Sequence, residues 1–455
     1  MRGWMLAALL AVLPLPSAWA AAGDVTVADQ SSAAYRQPLP GLTAAERDLF
    51  SQGRTLFDRP WVLAPAGGRL HDPATLVGLG PVYNDISCLG CHVGNGGGGA
   101  PAGPDVPMHG MLVRLSLPLP GPHGGPRPLP AYGDQLNDHA VPGVPAEGQA
   151  RLVYTLRTVV LAGGQRVALR VPHLKVGDLH FGPLGAGALF SPRIAQPVYG
   201  GGLLEAIPAP ALEAAAARQR AEGGPVRGRV NQVWDIALGR SVPGRFGWKA
   251  NQPSLAQQAA GAANGDMGLT SPLFPDKNCR AAQTACQGAR RGPQPDLTAA
   301  RLRALATYLR GLAVPARRGA QAPAVLRGER LFSGLGCASC HQPTWKTGDG
   351  AALAALSGQT IHPYSDLLLH DMGPGLADGR PDFQASGRDW RTPPLWGIGL
   401  ARRINADAGF LHDGRARSLL EAVLWHGGEA DTARAAFAAL SKGDRDDVLA
   451  FLSSL

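Results

Sequence analysis

Lysine is scarce: only Lys175, Lys249, Lys277, Lys346 and Lys442 occur in 455 residues, and charged residues of all kinds make up 17%. With 34 carboxylates against 43 basic residues, the net charge is +9, but the basic residues form no runs. A nucleic-acid binder concentrates its charge on a stripe beside aromatics, so that class is set aside. The surplus is kept as a hint of an acidic redox partner. Aromatics are also few, at 6%. No internal stretch reaches the roughly 20 apolar residues of a membrane span. Six cysteines are too few to staple a chain of this size. What the chain has in excess is glycine (61) and proline (40), over a fifth of all residues. That predicts a globular protein with unusually much loop.

The first residues predict a compartment. Arg2 precedes an apolar run from Leu6 to Leu13, then Pro14, Pro16 and Ala18-Trp19-Ala20. A charged start, a short apolar run and a small-residue cleavage site read as a signal peptide over residues 1–20. The mature chain is expected to be exported, to a bacterial periplasm. The alternative is an N-terminal core helix.

The six cysteines form three pairs: Cys88/Cys91, Cys279/Cys286 and Cys337/Cys340. Two lie in Cys-x-x-Cys-His, as Cys88-Leu89-Gly90-Cys91-His92 and Cys337-Ala338-Ser339-Cys340-His341. This spacing suits covalent haem attachment. Two thiols three positions apart can add to the two vinyl groups of a porphyrin, and the next residue delivers an imidazole to the iron. A Cys₄ zinc site is the main alternative, but it leaves the histidine after each pair unexplained. A thioredoxin-like redox pair needs a βαβ setting that neither motif has. Two covalently bound haem c groups are therefore expected, with His92 and His341 as proximal iron ligands. Calcium is not derivable from the sequence. Cys279 and Cys286 lie in a Pro/Gly/Asn-rich loop, where a local disulfide is the preferred reading.

A helix is readable before each motif. Thr43-Ala44-Ala45-Glu46 is a capping box, followed by Leu49, Phe50, Gly53, Leu56 and Phe57 at helical spacing. The second runs from Ala324 to Phe332. A further helix closes each half, after Asp296 and from Asp444 to Leu455. A finer repeat matches Pro197-Val198-Tyr199-Gly200-Gly201-Gly202-Leu203 with Pro394-Leu395-Trp396-Gly397-Ile398-Gly399-Leu400, and Arg193 and Arg391 precede the two copies. Each half resembles a class I cytochrome c domain. Arg151 to Val171, around Gly163-Gly164, reads as a β-hairpin. Residues 100–148 and 241–295 read as Pro/Gly-rich connections. The expected fold class is mainly α: two cytochrome c-like haem domains, over 24–313 and 314–455, with a small β-hairpin insertion in the first.

The chain also resembles the di-haem oxidoreductases related to bacterial di-haem cytochrome c peroxidases, and within them the peroxidase-like and thiol oxidoreductase-like subgroup. The resemblance rests on Ile86 to His92, Gly202 to Pro208, Cys337 to His341, His370-Asp371-Met372-Gly373 and, above all, Phe410 to Ala430 with its His412-Asp413-Gly414 turn. It implies two cooperating haems, one transferring electrons and one meeting peroxide or another small oxidant. It also implies a small redox protein as electron donor or acceptor. The helix that carries the sixth ligand of the C-terminal haem in the relatives has His426 at the matching position, with Met372 as the alternative ligand. A hydrogen bond from His426 to a propionate or carbonyl is the bland reading. His412 is a propionate or supporting contact. His109, 17 residues beyond His92 and beside Met108, matches a displaceable ligand of the N-terminal haem, although a surface loop histidine would look the same. Glu205 matches the segment that carries the relatives' acid/base glutamate. A carboxylate that only complements a helix N-terminus is its alternative. Trp248, Trp396 and Trp425 are candidate electron conduits or simply core. A non-catalytic electron carrier, an oxidase of a sulfur compound or protein side chain, and a zinc module stand beside the peroxidase reading.

Overall fold

The computed structural model describes residues 21–65, 72, 74–106, 108 and 110–455. The expected signal peptide and His109 lie outside the described residues. In chain order, the elements that build the site are α1 (Ala44–Asp58), the short α2 (Cys88–Cys91), β1 (Met111–Pro120), β2 (Gln149–Val160), β3 (Arg166–Gly177), β4 (Leu189–Ile194), α3 (Gly201–Glu205), α4 (Leu255–Met267), α5 (Ala299–Arg310), α6 (Pro323–Gly334), α7 (Leu419–Trp425), α8 (Asp431–Ala439) and α9 (Lys442–Ser454).

The helices start where capping chemistry allows. Thr43 Oγ1 accepts from the Glu46 amide at 3.2 Å while Glu46 Oε2 accepts from the Thr43 amide at 2.7 Å, closing the capping box of α1. Thr298 caps α5 and Ser441 caps α9 with their hydroxyl oxygens, which accept from the Arg301 and Asp444 amides. α1 then packs across α5, and α6 across α9. Both crossings depend on a missing side chain. A Cβ on Gly53 would lie 2.1 Å from the Ala304 carbonyl oxygen, and one on Gly328 would lie 1.9 Å from that of Asp447. Around them Phe50, Phe57 and Tyr308 fill one half, and Phe332 and Phe451 the other.

The internal repeat has a structural counterpart. Gly200 and Gly397 both adopt φ near +70° (69° and 72°), a conformation open to glycine, and each opens a short helical turn. Their amides donate to equivalent carbonyls just after α5 and α9: Gly200 to Leu312 at 3.1 Å, and Gly397 to Leu455 at 2.7 Å. The two segments lie against each other. Tyr199 Oη donates to the Trp396 carbonyl at 2.6 Å, a Cβ on Gly200 would meet the Trp396 ring, and one on Gly397 would meet Tyr199. Each half's glycine is thus fitted by the other's aromatic.

The expected fold class is corrected. The described residues are 32% helical and 20% strand, with eight small sheets among them, so the chain is not mainly α. Two features account for the difference. The hairpin is long, with strands of 12 residues each paired from Gln149↔Gly177 to Val160↔Arg166. And the connection read as loop at 100–148 contains β1, whose Met-Leu-Val-Arg-Leu-Ser alternation pairs antiparallel with β4. Proline suits such extended chain, so the Pro-rich stretches form short ladders instead of pure loop.

Two large cores result, and both draw on either side of residue 313. The first joins Leu203, Leu309 and Tyr35 with Trp345, Leu356, Ile361, Trp396 and Leu400. The second joins Phe332, Trp425, Phe437 and Phe451 with Leu161 and Leu169 of the hairpin. Thr26–Val27 also pairs in parallel with Val314–Pro315.

Candidate functional site

Ser87 caps the turn that presents the first motif, accepting from the Gly90 amide at 3.1 Å. The His92 amide then donates to the Cys88 carbonyl at 2.9 Å, which sets both sulfurs and the imidazole on one local frame. His92 Nδ1 lies 2.7 Å from the Gln196 carbonyl oxygen. A carbonyl only accepts, so Nδ1 carries the proton and Nε2 offers its lone pair. Phe57 of α1 leans on this ring at 5.9 Å.

The second motif repeats the arrangement. The His341 amide donates to the Cys337 carbonyl at 3.0 Å, and Nδ1 lies 2.9 Å from the Tyr364 carbonyl. Phe332 of α6 leans on the ring at 6.0 Å. Tyr364 sits at φ +50°, a strained setting for a bulky residue. Its hydroxyl donates to Glu329 at 2.6 Å, and Glu329 pairs with Arg317 at 3.1 Å, which holds it there.

His426 faces His341. Its Nδ1 lies 2.8 Å from the Ala422 carbonyl, one of the free carbonyls at the end of α7, so its Nε2 is also left as an acceptor. The two ring centres are 6.4 Å apart. Two imidazoles on opposite sides of one metal, with bonds of about 2 Å, have ring centres roughly 6 Å apart. Burial lowers the pKa of all three histidines, with His341 brought to about 4 by burial and then by His426. They are neutral near pH 7, as ligands must be.

The donor set fits haem. Burial pushes Cys88 up to about 12 and Cys337 up to about 11, and it raises Cys91 and Cys340 as well. These are protonated thiols, not the low-pKa thiolates of a redox pair. Among the described residues, no three His, Cys, Asp or Glu side chains gather as a metal cage, so the four sulfurs do not form a Cys₄ zinc site. In front of His92 lies a cavity of about 500 Å³ lined by Cys88, Cys91, Met111, Trp248, Met267 and Arg391. Arg391 is buried and donates only to the Gly247 and Thr392 carbonyls, with no carboxylate partner among the described residues. An unpaired buried guanidinium suits the anionic arms of a porphyrin. The buried indole N–H of Trp425, next to His426, also lacks a partner.

Glu205 does not line the cavity. Its carboxylate pairs with Arg310 and accepts from the Leu255 amide at 2.8 Å, at the N-terminus of α4. Met372 packs against the second core, where a Cβ on its neighbour in space, Gly427, would lie 3.1 Å from the Met372 carbonyl oxygen. His412 stacks on Trp390 at 3.7 Å, with its Nε2 3.5 Å from Asp413. Burial lowers its pKa to about 4. Trp396 and Trp425 are core residues. Trp248 is half-buried, lines the cavity and packs against the second core, so it touches both halves. Cys279 and Cys286 are joined in a disulfide. Reasoning from sequence did not single out Met111, Met267 or Tyr364. The alternation of β1 marks Met111 as inward-facing, but no local signal points to Tyr364.

The chain matches the family described as "Di-haem oxidoreductase, putative peroxidase" over residues 17–118 and 120–455. No curated protein matches. One solved structure, Kuenenia stuttgartiensis hydrazine synthase pressurized with 20 bar xenon, is similar at 20% identity and a TM-score of 0.25. The match covers 40% of this chain and 65% of that one, a likeness too slight to relate the two folds.

Proposed function

The chain belongs to the di-haem oxidoreductases, and on that footing we propose that it is an exported enzyme of peroxidase type, taking up electrons in its C-terminal half and reducing a peroxide in its N-terminal half. One observation carries this reading. His341 is faced by a second imidazole, His426, as suits a haem that only transfers electrons. Two imidazoles on one iron favour electron transfer, and the cavity lined by Cys88, Cys91 and His92 is the space the other porphyrin would fill, which assigns the meeting with a small oxidant to that half.

In this reading Cys88, Cys91 and His92 hold one haem, and Cys337, Cys340, His341 and His426 hold the other. The bound irons supply one-electron redox chemistry. The chain's own residues orient the ligands. The Gln196, Tyr364 and Ala422 carbonyls fix the three ring tautomers. Arg391, at the cavity wall, would pair with the anionic arms of the porphyrin. Glu205 is a positioning residue: through Arg310 and the Leu255 amide it sets α4, whose Ala259, Ala263 and Met267 wall the cavity. The Cys279–Cys286 disulfide supports export to an oxidising compartment. Among the described residues no helix is long and apolar enough to cross a membrane.

Met111 and Met267 favour a second reading. A thioether on the N-terminal iron would close that side and leave a pure electron carrier. Absorption and electron paramagnetic resonance spectra of the holoprotein, before and after hydrogen peroxide, separate the two. The enzyme is expected to show one low-spin and one high-spin haem, with the high-spin signal alone changing. Two low-spin haems that do not respond would overturn it in favour of the carrier.

A further inference from the structure

Four arginines line the cavity in front of His92, and two of them are paired. Arg114 pairs with Asp134 at 3.2 Å, and Arg193 with Asp382 at 3.4 Å. Arg391 has no carboxylate partner among the described residues, and neither has Arg280. The Arg280 guanidinium makes no hydrogen bond with any described residue, and its Nε is buried without a partner. The carboxylates that feel its charge are engaged elsewhere. Asp134 is held by Arg114. Glu147 accepts from the Gln283 side chain at 2.6 Å and from the Asn137 amide at 2.7 Å. Burial also pushes Glu147 up to about 8, so it is protonated near pH 7 and offers no counter-charge. A guanidinium at a cavity wall without a counter-ion is costly until an anion meets it.

The local chain fixes Arg280 in this place. Cys279 precedes it and is joined to the buried Cys286. Inside that loop the Arg280 amide donates to Gln283 Oε1 at 3.0 Å, and the Gln283 amide donates to the Arg280 carbonyl at 2.9 Å. The fully buried Gln283 side chain then anchors the loop on the Ala131 carbonyl at 3.0 Å as well as on Glu147. The guanidinium lies against Gly133, where a Cβ would come within 2.6 Å of one of its nitrogens. Gly133 has φ +77°, so glycine serves both the turn and the contact.

Haem carries two carboxylate arms, and the cavity offers two uncommitted guanidiniums. We infer that Arg280 holds one carboxylate of the N-terminal haem while Arg391 holds the other, and that the Cys279–Cys286 disulfide is the clasp that keeps Arg280 at the cavity wall. This rests on the di-haem reading and adds a second anchoring residue and a task for the disulfide. A charge-assisted pair there offsets negative charge beside the iron, which favours the reduced state.

The test uses the holoprotein and its R280L, R280K and C279S/C286S variants, with circular dichroism and mass spectrometry confirming the fold and two attached haems. Spectroelectrochemical titration reads the potential of each haem. In R280L the N-terminal haem is expected to become about tenfold harder to reduce, a fall of about 59 mV for one electron. The haem of His341 and His426 should keep its potential. R280K retains the charge without the planar fork and should recover part of the fall. C279S/C286S should show part of it with Arg280 still present. An unchanged potential in R280L overturns the proposal, as does an equal fall at both haems, which marks a diffuse loss of charge. An unchanged potential with weaker inhibition by azide overturns it too, and places Arg280 against an incoming anion. The native potential in C279S/C286S overturns the clasp. A native protein with fewer than two haem transitions would instead count against the di-haem reading.

Discussion

His341 and His426 each commit Nδ1 to a backbone carbonyl, so their facing nitrogens are set before any metal arrives. His426→Ala is expected to leave the fold intact and convert one low-spin haem to high-spin, read by absorption and electron paramagnetic resonance. An unchanged spectrum would exclude His426 as a ligand. His370 poses a different question of charge. It is buried, with Nε2 2.9 Å from Asp366 and Nδ1 2.7 Å from Glu429. Burial opposes its charge, yet Asp366 carries its pKa well above the usual value. Because the folded value is raised, the stability from this ion triad is complete below about pH 6.5 and lost as pH rises through the raised pKa. His370→Leu leaves the buried Asp366 and the partly buried Glu429 without their shared cation and is expected to cost about 3–5 kcal/mol in urea denaturation at pH 6. That gap should shrink in alkaline buffer. At this scale, spacing made the two Cys-x-x-Cys-His motifs legible, because attachment chemistry is local. The carbonyls that orient the histidines were not legible. The one for His341 comes from 23 residues away and the one for His92 from 104.

Among the elements, the crossings of α1 with α5 and of α6 with α9 have the least tolerance. Gly53→Ala and Gly328→Ala each push a methyl onto a backbone carbonyl that cannot turn aside. Each is expected to cost about 1–3 kcal/mol or more, seen as a lowered midpoint in chemical denaturation with the haem spectrum of the native state retained. If either substitution is neutral, the helices can separate more easily than their packing suggests. α1, α6 and α9 could be read from capping residues and apolar periodicity to within a few positions. β1 could not, because its alternation sits inside a stretch whose prolines read as loop. The hairpin is legible in the sequence over Arg151 to Val171 only, since its strands, Gln149–Val160 and Arg166–Gly177, extend beyond the apolar run.

At the scale of the whole molecule, neither core is complete without side chains from both sides of residue 313. Residues 24–313 and 314–455 produced separately are expected to be insoluble or unfolded, and to recover native circular dichroism only when co-produced. A soluble, cooperatively melting C-terminal fragment would show that Leu161 and Leu169 are dispensable to its core. No single sequence could reveal this sharing, because the partners are far apart along the chain and nothing local marks them. The mutual fit of Tyr199 over Gly397 and Trp396 over Gly200 has a kinetic consequence. Sliding one half against the other would drive an aromatic ring into a neighbour's backbone, so the two ligand sites keep one separation. Electron tunnelling depends on that separation and not on how fast the solvent lets a domain swing. Intramolecular electron transfer, followed after flash reduction, should therefore run at the same rate in buffer and in viscous sucrose.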